Sequence, residues 1–180
     1  MNSHPIPLVL LFGPSGAGKS TLSAALSSQS QWLHVETDPF SRTGTSAPIP
    51  KSLSQLFSPN PSFSDLATEL RVMASSHSGA ILSFMSMICP NIEHISAAQE
   101  SEFTTIFLTG NEQECLQSFL RREARIGRNL PEQHWRTHST GICRALHRPE
   151  YAPHTIPGYR EGLHRPVNEL VEEVLMRVGA

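Results

Sequence analysis

Gly13-Pro14-Ser15-Gly16-Ala17-Gly18-Lys19-Ser20-Thr21 is the stretch on which the reading of this chain turns. It satisfies the pattern G-x-x-x-x-G-K-[ST]. Its surroundings supply the context that pattern needs: a short apolar run, Ile6 to Phe12, before it and a helix-compatible run, Thr21 to Ser28, after it. Glycines permit a tight turn whose backbone N–H groups point inward, and the following helix N-terminus adds its positive end. Such a cradle suits the phosphates of a nucleotide. Lys19 is expected to reach the β- and γ-phosphates, and the Ser20 hydroxyl to coordinate a Mg²⁺ that bridges them. All nine residues are therefore candidate nucleotide-binding positions, with ATP and Mg²⁺ as the implied cofactors.

Strand and helix signals alternate outward from this loop. Trp32 to Val35 reads as a second strand, closed by Glu36-Thr37-Asp38-Pro39, because a proline disfavours helix at the residue before it. Residues 41–64 are rich in Ser, Pro, Thr and Gly, which suits a linker or a substrate-binding insertion. Helices are expected over 63–76, 92–102, 112–125, 132–146 and 166–178. Further strands are expected at 80–87, 104–108 and 154–156. The economical architecture is one α/β domain over 1–180: a mostly parallel five-stranded sheet flanked by helices. Within it, 40–77 is the expected acceptor-binding insertion and 121–136 the expected lid.

Aspartate is scarce, occurring only as Asp38 and Asp65. Asp38 follows the second strand, and in a parallel sheet the carboxyl ends of the strands share one edge with the phosphate loop. Asp38 can therefore orient an acceptor, take its proton or hold a metal-bound water. Glu36, two residues earlier, is the candidate carboxylate for Mg²⁺. A second group is cationic. Residues 112–165 hold 9 Arg against 6 Glu, a local excess of 9 − 6 = +3 in a chain of net charge −2. Arg121, Arg125 and Arg128 have a four-then-three spacing that would project to one side if the helix continued past Gly127, with Arg122 beside them; the alternative is a solvated face whose charge Glu123 and Glu132 offset. Such cations stabilise charge on a transferring phosphoryl group. Gly127 is a candidate flexible point, and Arg136 a further candidate from the next helix. Arg71 can bind an acceptor phosphate or carboxylate or equally stand on the surface, and Phe57 and Phe63 can line an acceptor cavity or belong to the core.

The remaining composition mostly excludes. The chain of 180 residues, 38 % hydrophobic, is large enough for one sizeable core. A net charge of −2 without an extended basic tract argues against nucleic acid as a partner. Cys89, Cys115 and Cys143 form neither a disulfide framework nor a metal-ligand pair. The four histidines from His134 to His154 make no compact metal motif, although His134 and His138 can share a helix face. No run approaches the roughly 20 apolar residues of a membrane helix. The N-terminus lacks a basic leader, so a cytoplasmic location without membrane attachment is the default expectation. The oligomer is left open between monomer and homodimer.

Taken together, Gly13–Thr21, Glu36-Thr37-Asp38, the helical insertion and Arg121–Arg128 resemble the small P-loop kinase superfamily, which includes shikimate, gluconate, adenylylsulfate and nucleoside monophosphate kinases. That resemblance implies a parallel central sheet, a mobile acceptor-binding region and an Arg-bearing lid. It implies that Lys19 and Ser20 serve ATP·Mg²⁺, that Asp38 serves the acceptor and that the arginines act from the lid. Glu36-Thr37-Asp38 is similar to the acidic pair of shikimate kinase, with Glu in place of its first Asp. The glycine-rich segment of that family's third strand is replaced here by Ser78-Gly79-Ala80. The acidic residue that ends the third strand of many P-loop ATPases is missing from Ile81–Ser86. The leading expectation is transfer of the γ-phosphoryl group to a small hydroxyl- or phosphate-bearing metabolite. Two alternatives remain at this stage: a nucleotide-dependent regulatory or assembly protein with weak ATPase activity, and a polynucleotide 5′-kinase.

Overall fold

The computed structural model describes residues 5–38, 46–57 and 62–179, with the backbone alone for Gln55 and Phe57. Five strands form one sheet: β1 (Leu8–Phe12), β2 (Leu33–Glu36), β3 (Ala80–Ser83), β4 (Phe103–Thr109) and β5 (Thr155–Pro157). Their order is β2-β3-β1-β4-β5, and every neighbouring pair is parallel. Six helices cover it: α1 (Lys19–Ser30), α2 (Phe63–Met73), α3 (Ile92–Glu100), α4 (Glu112–Arg125), α5 (Glu132–Ala145) and α6 (Val167–Val178).

The central strand explains why the sequence folds this way. All five residues of β1, Leu-Val-Leu-Leu-Phe, are buried, as a strand covered on both faces requires. Leu8, Leu10 and Phe12 point to one core, shared with Leu66 and Leu70 of α2 and Ile95 of α3. Val9 and Leu11 point to the other, shared with Leu22 and Leu26 of α1, Leu116 of α4 and Val174 of α6. Between β2 and β3, α2 fills a crossover. Its Phe63, for which the sequence left an acceptor cavity and the core both open, is a core residue, 7 % exposed and edge-on to Phe103 at 6.3 Å.

Two short features escape the sequence pattern. A 3₁₀ segment, Lys51–Phe57, is capped by the Glu69 carboxylate, which accepts from the Lys51 and Ser52 backbone N–H groups at 2.8 and 2.9 Å. A small antiparallel hairpin, β6 (Tyr159–Arg160) and β7 (Leu163–His164), follows β5. The third strand also ends earlier than its apolar run suggests, at Ser83 rather than Met87. There the chain leaves the sheet and its side chains turn toward the loop after β1. Among the described residues, no helix is long and apolar enough to cross a membrane.

Candidate functional site

The loop Gly13–Gly18 joins β1 to α1 at the carboxyl edge of the sheet, where parallel strands leave room for ligands. Gly16 shows why the motif needs glycine. Its φ is +90°, and a Cβ there would overlap the carbonyl oxygen of Cys115 on α4. The loop is braced from outside. The Trp135 indole N–H donates to the Ser15 carbonyl at 2.8 Å, and the Tyr159 hydroxyl donates to the Gly16 carbonyl at 2.7 Å. Ser15 N–H donates to the Ser139 hydroxyl at 3.3 Å, and its own hydroxyl donates to Ser86 at 2.9 Å. Lys19 Nζ donates to the Gly13 and Pro14 carbonyls at 2.8 and 3.2 Å. Burial pulls this ammonium down to about 8, against the pull of Glu36 and Asp38.

The carboxylates meet the loop where β2 ends. The Ser20 hydroxyl donates to Glu36 Oε2 at 3.0 Å, and the Asp38 backbone N–H donates to Glu36 Oε1 at 3.2 Å. Glu36 is 1 % exposed. Burial pushes its carboxyl above the usual range, opposed by those two hydrogen bonds and by Lys19. His34, on the same strand face, lies 3.9 Å from Glu36, but burial lowers its imidazole and favours the neutral form. Among the described residues no group of three or more His, Cys, Asp or Glu could hold a metal ion. A hydroxyl and one carboxylate in contact are nevertheless the hard oxygen donors that suit Mg²⁺ held jointly with phosphates.

A cavity of about 470 Å³ opens above these groups, lined by Gly16, Gly18, Lys19, Ser20, Thr21, Glu36 and Asp38. Its other wall is one face of α4: Ser118, Arg121, Arg122 and Arg125. Two of the three sequence-selected arginines, Arg121 and Arg125, therefore join Lys19, Ser20, Glu36 and Asp38 in one cavity, with Arg122 between them. Arg128 does not continue that face. The helix stops at Ile126, Gly127 takes φ +74°, and the N–H groups of Gly127 and Arg128 close back onto the Ala124 and Glu123 carbonyls at 3.1 and 2.9 Å. This is a Schellman stop, so Gly127 ends the helix. It turns Arg128 back to pair at 2.8 Å with Glu123, a carboxylate whose side chain is 1 % exposed and which Arg122 also meets at 2.7 Å.

Two other candidates lie elsewhere. Arg136 does not line the cavity; it is paired on the surface with Glu132 and Glu112. Arg71 pairs with Glu102 at 2.6 Å, just before β4 begins, which is the amino edge of the sheet and opposite the loop. Phe57 lies outside the described side chains. Among the described residues of 40–77, none lines the phosphate cavity.

Several lining residues were not legible in the motifs. Phe84, Met85 and Ser86 enter because β3 ends beside β1. The parallel topology was the available signal. His164 enters from the hairpin, stacked on Tyr159 at 4.1 Å and hydrogen-bonded to Ser118 at 2.9 Å. Two-residue strands leave no sequence periodicity, so nothing pointed to it.

No protein-family model matches the chain, and no curated protein matches it by sequence. Solved structures do. A gluconokinase from Sinorhizobium meliloti 1021 superposes with a TM-score of 0.54 at 17 % identity, covering 98 % of this chain and 94 % of that one. A sugar kinase from Janibacter sp. HTCC2649 gives 0.55 at 19 %, covering 97 % and 95 %. The APS kinase of Mycobacterium tuberculosis, solved with AMPPNP and APS, gives 0.52 at 19 %, covering 99 % and 100 %. At these identities the likeness establishes the fold alone: this chain shares the overall architecture of those three proteins over nearly its whole length.

Proposed function

We propose that this protein transfers the γ-phosphoryl group of ATP to a small hydroxyl- or phosphate-bearing metabolite. The observation that carries the reading is the meeting of three groups around one cavity: the Lys19–Ser20 end of the phosphate loop, the Glu36/Asp38 carboxylates and the Arg121–Arg122–Arg125 face of α4. A site for ATP·Mg²⁺ alone would need the first and Glu36, but not Asp38.

Lys19 and the loop N–H groups would bind and orient the phosphates. Ser20 and Glu36 would hold Mg²⁺, which when bound supplies Lewis-acid stabilisation of phosphate charge. Asp38 would position the acceptor. For an alcohol, the acceptor oxygen forms a bond to the γ-phosphorus as the bond from phosphorus to the β,γ-bridging oxygen breaks. The hydroxyl proton passes to the Asp38 carboxylate, and ADP leaves. Positive charge from Arg121, Arg122 and Arg125 then lies where the equatorial oxygens gain charge. Closure of the 121–136 segment over the cavity would exclude water.

The missing carboxylate at the end of β3, where Ser83 and Phe84 stand, supports acceptor chemistry over general ATP hydrolysis. A screen of metabolites with γ-labelled ATP tests the proposal. Transfer of label to a metabolite is expected. Release of inorganic phosphate at the same rate with and without every acceptor would sink it and favour a nucleotide-dependent switch.

A further inference from the structure

The phosphate cavity does not end at Asp38. A second chamber of about 360 Å³ opens beside it, and the two share Ser15, Asp38, Met85, Ser86 and Arg122. Across that boundary the chemistry of the walls changes. On the phosphate side stand Lys19, Ser20, Glu36 and arginines. On the far side stand Met87, Phe119, Leu130 and Trp135, with the imidazoles of His134 and His138.

These rings are ordered relative to one another. The Arg122 guanidinium lies 5.4 Å from the Phe119 ring centroid. Phe119 and His134 are parallel to within 13° at 6.3 Å, and His134 meets His138 edge-on at 4.7 Å. A row of aromatic rings thus runs from the phosphate boundary into α5. The buried carboxylate on this side, Glu123, is held by Arg122 and Arg128.

Such a chamber discriminates by chemistry. A polyhydroxy acid carries a hydroxyl on nearly every carbon, and each needs a partner when taken out of water. On the far side Met87, Leu130 and the ring faces supply few; the polar groups there are Ser139, the two imidazoles and the paired Glu123 and Arg128. A flat or alicyclic ring loses little on leaving water and gains contact against these faces. The volume lies at the lower end of small-molecule pockets, which suits a body of one or two rings.

Resting on the phosphotransfer reading above, we infer that the acceptor is an alcohol carrying an aromatic or alicyclic ring. The ring occupies the chamber between Met85, Leu130 and the Phe119–His134 wall. The hydroxyl reaches back to Asp38 at the boundary. There its oxygen forms the new bond to phosphorus as the β,γ-bridging bond breaks, its proton passes to Asp38, and ADP is released.

The test uses 2-phenylethanol and cyclohexanemethanol as ring probes, with gluconate and ribitol as polyhydroxy probes. Binding is read by saturation-transfer NMR, and transfer by label from γ-labelled ATP. The ring probes are expected to bind and take label, and the polyhydroxy probes to do neither. His138→Trp, which fills the chamber from α5, is expected to weaken the ring probes by about tenfold or more while ATP affinity holds. If that variant fails to fold, Leu130→Gln, which places an amide in the wall, is expected to act in the same direction. Label on gluconate or ribitol, with no binding of ring probes, overturns this inference and leaves the kinase reading standing. Ring probes that bind, respond to His138→Trp and never take label overturn the kinase reading and keep the chamber's preference. No binding by either ring probe overturns the inference outright.

Discussion

The phosphate loop and the arginine segment border the same cavity but are held there by different means. The loop is fixed through its backbone. The Ser15 and Gly16 carbonyls accept from Trp135 and Tyr159, and Gly16 sits against the Cys115 carbonyl too closely for any side chain. Two of the arginines are fixed through one side chain. Arg122 and Arg128 converge on Glu123, while Arg121 and Arg125 are exposed along the helix. The difference teaches where tolerance lies. A backbone cradle resists any change of shape, whereas a charged clasp can be loosened and still leave its neighbours in place.

The hardest blow to the loop side is Gly16→Ala. A positive φ and a backbone overlap act together, and loss of measurable nucleotide binding is expected with a stability loss on the order of 3 kcal/mol or more. Calorimetry and thermal melting check both. A normal affinity in that variant would break the claim that α4 fixes the loop's shape. Next comes Asp38→Asn, at the junction of the two regions. Turnover is expected to fall about 100-fold or more, with nucleotide affinity within about threefold. Equal loss of both would move Asp38 from acceptor to nucleotide.

The clasp gives a smaller effect. Glu123→Gln leaves two guanidinium groups without their carboxylate, but both are about a third exposed and water offsets part of the cost. A loss of about 1–2 kcal/mol is expected, read as a lower melting temperature. An unchanged melting temperature would mean that the clasp holds nothing.

A pH titration sharpens the comparison further, because burial brings Lys19 close to neutrality. Its pKa lies at about 8, below the ordinary 10.5. The cation that phosphate needs is therefore present below pH 8 and lost above it. Nucleotide affinity is expected to be flat below pH 8 and to fall by up to about tenfold per unit above it, until the bound form also titrates. Lys19→Met should abolish that slope. For stability without nucleotide the sign is opposite. Burying the cation costs the folded chain below pH 8, and that cost fades as the pH rises toward 10.5. Smallest of all is Arg136→Ala, for which turnover and nucleotide affinity are expected to stay within about twofold, because its partners are surface carboxylates.

Much of the fold was legible because its signals are local. The apolar run Ile6–Phe12 read as a buried strand, and Leu8–Phe12 is one. The Ser20–Glu36 contact also followed from topology, since parallel strands end on the edge where the loop lies. Long-range and side-chain-specific arrangements were less accessible. Arg71 has the right chemistry for an acceptor, but its helix carries it to the amino edge of the sheet. Arg128 has the right spacing for the cavity face, but spacing holds only while the helix lasts. Gly127 ends it.

The sequence by itself determined that a glycine-rich turn ending in Lys19 and Ser20 stands between a strand and a helix. Glycine, lysine and serine at that spacing meet a local demand of backbone geometry and charge. Only the tertiary structure decided which distant side chains share the cavity. Ser86, Ser118 and His164 reach it through strand order, a helix face and a two-residue hairpin. The same holds for the ring-lined chamber beyond Asp38, because Phe119 and His134 meet only where α4 and α5 pack against each other.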